Sequence, residues 1–168
     1  MNAIVSVTSD WAIGNAGSLI VRNREDMRRF VRLTTGGTVL MGRVTFESFP
    51  NGPLKGRRNV VVTRDVGYAT THPGIECAGS IDEALELVAA DDPEHVWLIG
   101  GERLYRSLLG RCTCCYVTRN RTTVAADAYF PNLDEDDAWE LVCVEEGGVT
   151  DEGVPFDFAT YQNRLVEG

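Results

Sequence analysis

The sequence lacks any apolar run near the roughly 20 residues that a helix needs to cross a bilayer, which excludes a helical membrane span. It is also short of positive charge. Sixteen lysines and arginines stand against 25 aspartates and glutamates, for a formal net charge of −9. That excludes bulk nucleic-acid binding, which needs a basic face. It leaves room for an anionic small ligand, because a few placed arginines make a local positive pocket. No GxGxxG follows a strand-like run and no GxxxxGK(S/T) occurs, so neither the common dinucleotide fingerprint nor the P-loop is supported. Histidine is scarce: there are two, His72 and His95, and neither lies near the cluster of Cys112, Cys114 and Cys115. No metal site is expected from that cluster, whose members read as small core or strand residues. Repeats, low-complexity segments and linkers are absent. The first residues, MNAIVSVTSDW, have neither the basic start nor the apolar stretch of a signal peptide, so a cytoplasmic protein is expected. The 168 residues suit one domain, 1–168, with a single sizeable fold.

What is present alternates between strand and helix patterns. Residues 3–7 form a short apolar run. Gly14 to Gly17 break it and start a loop. Asn23 caps an expected helix over 24–35, with Met27, Phe30, Val31 and Thr34 at helical spacing. Residues 38–41 read as a strand, followed by a short helix through Phe46. Residues 59–63 and 96–99 are continuous apolar runs, the kind buried on both faces of a parallel sheet. Residues 75–78 read as a short strand. Ser80 with Glu83 reads as a capping box opening a helix through Ala90. A helix is expected over 102–109 and a longer strand over 113–119. Residues 139–145 and 156–165, around the turn-rich Gly147-Gly148, read as an antiparallel hairpin. The expected fold is α/β: a mostly parallel central sheet, helices on both faces, and a C-terminal antiparallel hairpin.

Three of these strands end alike. Met41 is followed by Gly42-Arg43-Val44-Thr45, Val62 by Thr63-Arg64, and Ile99 by Gly100-Gly101-Glu102-Arg103. In a parallel sheet all three turns share one edge, where open α/β sheets place ligands. Glycine lets backbone approach a phosphate, helix N-termini present free N–H groups, and arginine and threonine add donors. Singly, each is equally a plain turn or a solvated charge; together they point to a phosphorylated nucleotide. Asp26 stands at the border of the first helix's apolar stripe. Spacing alone leaves it as an acid favouring the helix dipole, or as a carboxylate in an apolar pocket with raised pKa. Either Arg57 or Arg58 could clamp a ligand carboxylate, or sit on the surface.

The segment Val39-Leu40-Met41-Gly42-Arg43-Val44-Thr45-Phe46-Glu47-Ser48 resembles the corresponding segment of dihydrofolate reductases. So does Pro53-Leu54-Lys55-Gly56-Arg57-Arg58-Asn59 leading into Val60-Val61-Val62-Thr63-Arg64. Ile99-Gly100-Gly101-Glu102-Arg103-Leu104-Tyr105, Tyr116-Val117-Thr118, Asp127 to Pro131, Ile13-Gly14 and Asp26…Phe30 complete the likeness, in order over nearly the whole chain.

The resemblance implies NADPH-dependent reduction of dihydrofolate to tetrahydrofolate, serving one-carbon metabolism and open to antifolates; nothing in the sequence suggests an obligate dimer, so a monomer is expected. It implies that Asp26 binds the pteridine edge, braced by Thr118, with hydride reaching C6 and a proton N5. Arg57 would bind the substrate's glutamate tail. Ile4, Val5, Met27, Phe30, Phe49, Leu54 and Ile99 would wall the substrate. Ser6, Ile13, Gly14, Gly42, Arg43, Val44, Thr45, Val62, Thr63, Arg64, Ile99 to Leu104 and Tyr105 would hold the cofactor. The Gly100-Gly101 peptide is expected cis, and Leu19 to lie on a loop closing over the nicotinamide. The chain departs from the family at Ile20-Val21, where Pro-Trp is usual; valine cannot donate the tryptophan's hydrogen bond. Two other readings fit the same fold: a riboflavin-pathway reductase, and a dinucleotide-binding protein without turnover. The first would not call for Asp26 and Arg57 together.

Overall fold

In the computed structural model, which describes residues 1–167, the first apolar run becomes β1 (Asn2–Val7), at the heart of an eight-stranded sheet. The chain continues through β2 (Ala12–Gly14), α1 (Arg24–Thr34), β3 (Thr38–Gly42), α2 (Arg43–Glu47), β4 (Arg58–Val62) and α3 (Tyr68–Thr71). Next come β5 (Glu76–Ala78), α4 (Ile81–Val88), β6 (Val96–Gly100), α5 (Glu102–Leu108) and β7 (Cys114–Asn120). The last elements are β8 (Ala128–Tyr129), β9 (Trp139–Val149) and β10 (Pro155–Asn163). The sheet order is β5-β4-β3-β6-β1-β7-β10-β9. The first six strands in that order pair in parallel, while β10 runs antiparallel to β7 and to β9. This is the expected α/β class.

The continuous apolar strands work because both faces of the sheet are covered. Side chains alternate along a strand, so Leu40, Val60 and Leu98 enter one core with Ala84, Leu104 and Leu108 of α4 and α5. Val39, Met41, Val61 and Trp97 enter the other, with Phe30, Leu33 and Phe46 of α1 and α2. Of the three clustered cysteines, Cys112 and Cys115 are fully buried and Cys114 is half-buried. Burial pushes the Cys112 thiol up to about 12, which makes it an inert core residue.

Four expectations are corrected. The α1 stripe is rotated: Met27 and Val31 are 47% and 46% exposed and Arg29 is buried, whereas Phe30 and Thr34 lie inward as expected. Met27 faces a cleft rather than the core. At α4, Ser80 caps as expected, accepting from the Glu83 N–H at 3.1 Å. The return bond from Glu83 goes to the Gly79 N–H instead of the Ser80 N–H, and the helix stops at Val88 rather than Ala90. Gly147-Gly148 is no turn; it lies inside β9. A Cβ at Gly147 would stand 2.3 Å from the Phe156 ring, and the strand bulges there, so only glycine fits. The reversal comes later, where the Thr150 N–H donates to the Val154 carbonyl. Finally, the loop after β1 contains β2, which pairs with β8 as a separate two-stranded ribbon.

Candidate active site

The three strand ends do share one edge. Gly42 to Thr45, Val62 to Arg64 and Ile99 to Arg103 all line a single open cavity of about 1160 Å³. β1 contributes Ile4, Val5 and Ser6 to it, and the β2 end contributes Ile13 and Gly14. Leu19 borders it from the following loop, which is tied down where Asp127 accepts from the Ala16 N–H at 2.9 Å. From α1 come Asp26, Met27 and Phe30, and Phe49 follows α2. Leu104 and Tyr105 of α5 back the wall, though the Tyr105 hydroxyl is already engaged with the Ile4 carbonyl at 2.7 Å.

The nucleotide-facing part has the chemistry that a phosphorylated ligand requires. The N-caps of α2 and α5 are Gly42 and Gly101, and neither helix start is capped by a side chain. Their first-turn N–H groups are therefore uncommitted, in contrast to α1 and α4, which Asn23 and Ser80 cap. The Gly100–Gly101 peptide is cis. A Cβ on Gly101 would lie 3.3 Å from the Thr45 hydroxyl, a tight contact, so glycine there lets the two helix starts approach closely. Arg43 is shared with Glu47 at 3.3 Å. Among the described residues neither Arg64 nor Arg103 forms an ion pair. These two guanidinium groups stand free to donate to phosphate oxygens, on a rim that also carries Asp65, Asp82 and Glu102.

At the other end stands Asp26. Its backbone N–H donates to the Asn23 cap at 3.1 Å, which fixes the first turn of α1. Asn23 in turn donates to Asn120, and Asn120 donates to the Ser6 hydroxyl, so α1 is anchored to β7 and β1 by buried amides. Asp26 keeps partial exposure toward the cavity while its carboxyl group is deeply surrounded by protein. Thr118 lies behind the cavity wall and donates its hydroxyl to Asp26 Oδ1 at 2.6 Å. Burial raises the carboxyl above its ordinary range, and the Thr118 hydrogen bond and the Arg29 charge pull it back only in part. Of the two spacing-level readings, the pocket carboxylate is the one that the geometry supports.

Arg57 and Arg58 are separated cleanly. Arg58 is held by Glu76 and Asp91, whereas Arg57 makes no ion pair among the described residues. Arg57 donates to Thr34 and to the Lys55 carbonyl, with its guanidinium 5.9 Å from the Phe30 ring. It is beside Phe30 but does not itself line the cavity, and Leu54 likewise packs into the α1-side core rather than lining the cavity. Trp11 is buried against Phe130 and Tyr161, so it does not replace the tryptophan missing at Val21.

Sequence reasoning missed a fourth strand end. Gly79, Ser80, Ile81 and Asp82, between β5 and α4, also line the cavity. The signal was present, since Ala78 is followed by glycine at a helix start, as at Gly42 and Gly101. The Ser80 cap drew the whole reading to helix initiation.

A family model described as dihydrofolate reductase matches residues 1–163. The dihydrofolate reductase of Schistosoma mansoni is 32% identical, covering 96% of this chain and 95% of that protein. That of Mycobacterium leprae is 40% identical over 74% of this chain and 70% of its own length. The solved structure of the Enterococcus faecalis dihydrofolate reductase, complexed with NADP(H) and RAB-propyl, superposes with a TM-score of 0.86 at 28% identity. It covers 97% of this chain and 95% of that one. By sequence over nearly its full length, and by fold, the chain belongs to the dihydrofolate reductase family.

Proposed function

We infer that the protein is an NADPH-dependent dihydrofolate reductase, forming tetrahydrofolate. The observation that carries this reading is a protein-enclosed carboxyl, Asp26, at one end of a cavity whose other end is built from uncapped helix starts and free arginines. In this reading the helix starts at Gly42 and Gly101, with Thr45, Thr63, Arg43, Arg64 and Arg103, hold the cofactor's phosphates, and the arginines favour the form bearing a 2′-phosphate. Bound NADPH supplies the hydride that is added at C6 of the substrate.

Asp26 accepts hydrogen bonds from the two adjacent N–H donors of the pteridine edge. Carboxylate geometry matches such a pair with two parallel bonds. One lone pair of Oδ1 is taken by Thr118, so that hydroxyl fixes the plane in which the remaining lone pairs point. The raised proton affinity of Asp26 keeps a proton available near the ring, and N5 receives one from solvent by way of this environment as the hydride arrives. Ile4, Val5, Phe30, Phe49 and Ile99 exclude bulk water from the ring, and Arg57, just past Phe30, receives the glutamate tail. The protein's contribution is positioning and one acid.

The monomer and the cytoplasm remain part of the proposal. The five cysteines are free thiols, which suits a reducing compartment. The decisive experiment is NADPH oxidation followed on adding dihydrofolate, with and without an antifolate pteridine analogue. Stoichiometric tetrahydrofolate formation, blocked by the analogue, is expected. Tight NADPH binding with no oxidation would overturn the reading.

A further inference from the structure

The reading of Asp26 as the pocket acid leaves two buried charges unused: Asp157, which Arg119 and Arg121 hold, and Arg29, which has no close partner among the described residues. Arg29 lies one helical turn beyond Asp26 on α1 and is only 7% exposed. Its guanidinium carbon sits 4.5 Å from the centre of the Phe158 ring of β10 and 5.7 Å from that of Tyr116 of β7. One nitrogen, Nη1, is buried with no hydrogen-bond partner. Another, Nη2, approaches Glu145 of β9 at 3.9 Å, but that carboxylate is 65% exposed and the contact is long. An exposed partner at this distance offsets little of the cost of burying a guanidinium.

The other groups around the pair are few. Tyr116 and Arg32 flank Arg29, and the buried Tyr105 phenol of α5 feels the charge of Asp26. Thr118 is the neutral donor from β7, β10 presents the Phe158 ring, and β1 presents Ile4, Val5 and Ser6. Of the two carboxylates that act on Arg29, Glu145 is exposed and Asp26 is the enclosed one, yet Asp26 and Arg29 do not form a direct ion pair among the described residues. This separation matters chemically. A bonded arginine would occupy the carboxylate oxygens. A buried cation one turn away stabilises the negative charge while leaving those oxygens free for a ligand's N–H groups.

We propose that Arg29 is a positioning residue for the reduction: a ring-clamped cation that sets, through space, how readily Asp26 holds its proton, and so where in pH the enzyme works. The proposal rests on the assignment of Asp26 as the pocket acid. Its test is first read without substrate. The Asp26 carboxyl carbon is titrated by NMR in the ligand-free protein, in wild type, Arg29→Met, Arg29→Gln and Arg29→Lys. Loss of the cation is expected to move that titration upward by about half a pH unit or more, while lysine holds it near the wild-type position. The alkaline fall of the reduction rate moves in the same direction in the Met and Gln variants. Arg29→Gln keeps a polar side chain, so it serves if Arg29→Met does not fold. Variants that bind NADPH and retain native spectra, but whose Asp26 titrates as in wild type, would overturn the proposal and leave Arg29 a packing residue. A wild-type protein that shows the coupling but reduces no dihydrofolate would instead sink the functional reading.

Discussion

Replacing Asp26 by asparagine alters charge and proton capacity while keeping size and shape. The amide oxygen can still accept from Thr118, whose hydroxyl now reaches Oδ1 at 2.6 Å, so the local fold has no reason to change. Two effects with opposite signs follow. The reaction loses its positioned acid, and the rate of dihydrofolate reduction near neutral pH should fall by on the order of 100-fold or more. Stability should rise. Burial lifts the folded carboxyl above its ordinary value, so between the unfolded and folded values the native state binds more protons than the unfolded chain. Stability is then lost as pH rises through that interval, and the full penalty is present near neutrality. Asparagine carries no such penalty. The variant should therefore be more stable than wild type at neutral pH by about 1 kcal/mol, or roughly 2–4 °C in Tm for a chain of this length. The margin should shrink as pH falls into the ordinary carboxylate range. Stopped-flow NADPH oxidation measures the first effect and thermal unfolding across pH the second. Undiminished turnover would remove Asp26 from the mechanism. A variant less stable than wild type at neutral pH would mean that the carboxylate is held by partners rather than strained by burial.

Other outcomes follow from single contacts. Arg57→Ala should raise KM for a glutamylated substrate about tenfold while leaving a tail-less pteridine nearly unaffected, because one charge-assisted contact is lost. Equal effects on both would argue against the clamp. Arg58→Ala is the control: its partners are Glu76 and Asp91, so stability should drop by up to about 1 kcal/mol with KM unchanged. Arg64→Ala should weaken NADPH about tenfold and NADH little, and steady-state KM values for the two nucleotides will show whether the discrimination moves. Gly147→Val should destabilise the fold by about 1–3 kcal/mol. Its Cβ would meet the Phe156 ring at 2.3 Å and that residue's carbonyl oxygen at 2.6 Å, so turning the ring gives no relief. An unchanged denaturation midpoint would show that the hairpin can shift instead.

Much of the site is legible from residue order because parallel strands put their C-terminal ends at one edge. Once 38–41, 59–63 and 96–99 are read as buried parallel strands, Gly42-Arg43, Thr63-Arg64 and Gly100-Gly101 must converge, as they do. The fourth turn, at Gly79, follows the same rule and was hidden by a residue with two roles. Arg57 and Arg58 are adjacent in sequence and equivalent there. They differ because Arg58 opens β4, beside Glu76 of β5 and Asp91, whereas Arg57 is still in the bend before the strand, next to Phe30 and Thr34.

The sequence by itself determined the class, the strand and helix order, the Asn23 and Ser80 caps and the family, since periodicity, capping and motif spacing are local properties of the chain. Tertiary structure alone decided which way α1 faces, and so that Arg29 goes inside while Met27 turns to the cavity. It decided as well that Gly147 is a bulge under Phe156 rather than a turn. Only packing against Phe158 and Tyr116 makes a cation tolerable in the interior. Those rings come from β7 and β10, far along the chain, and no window on the sequence around α1 contains them.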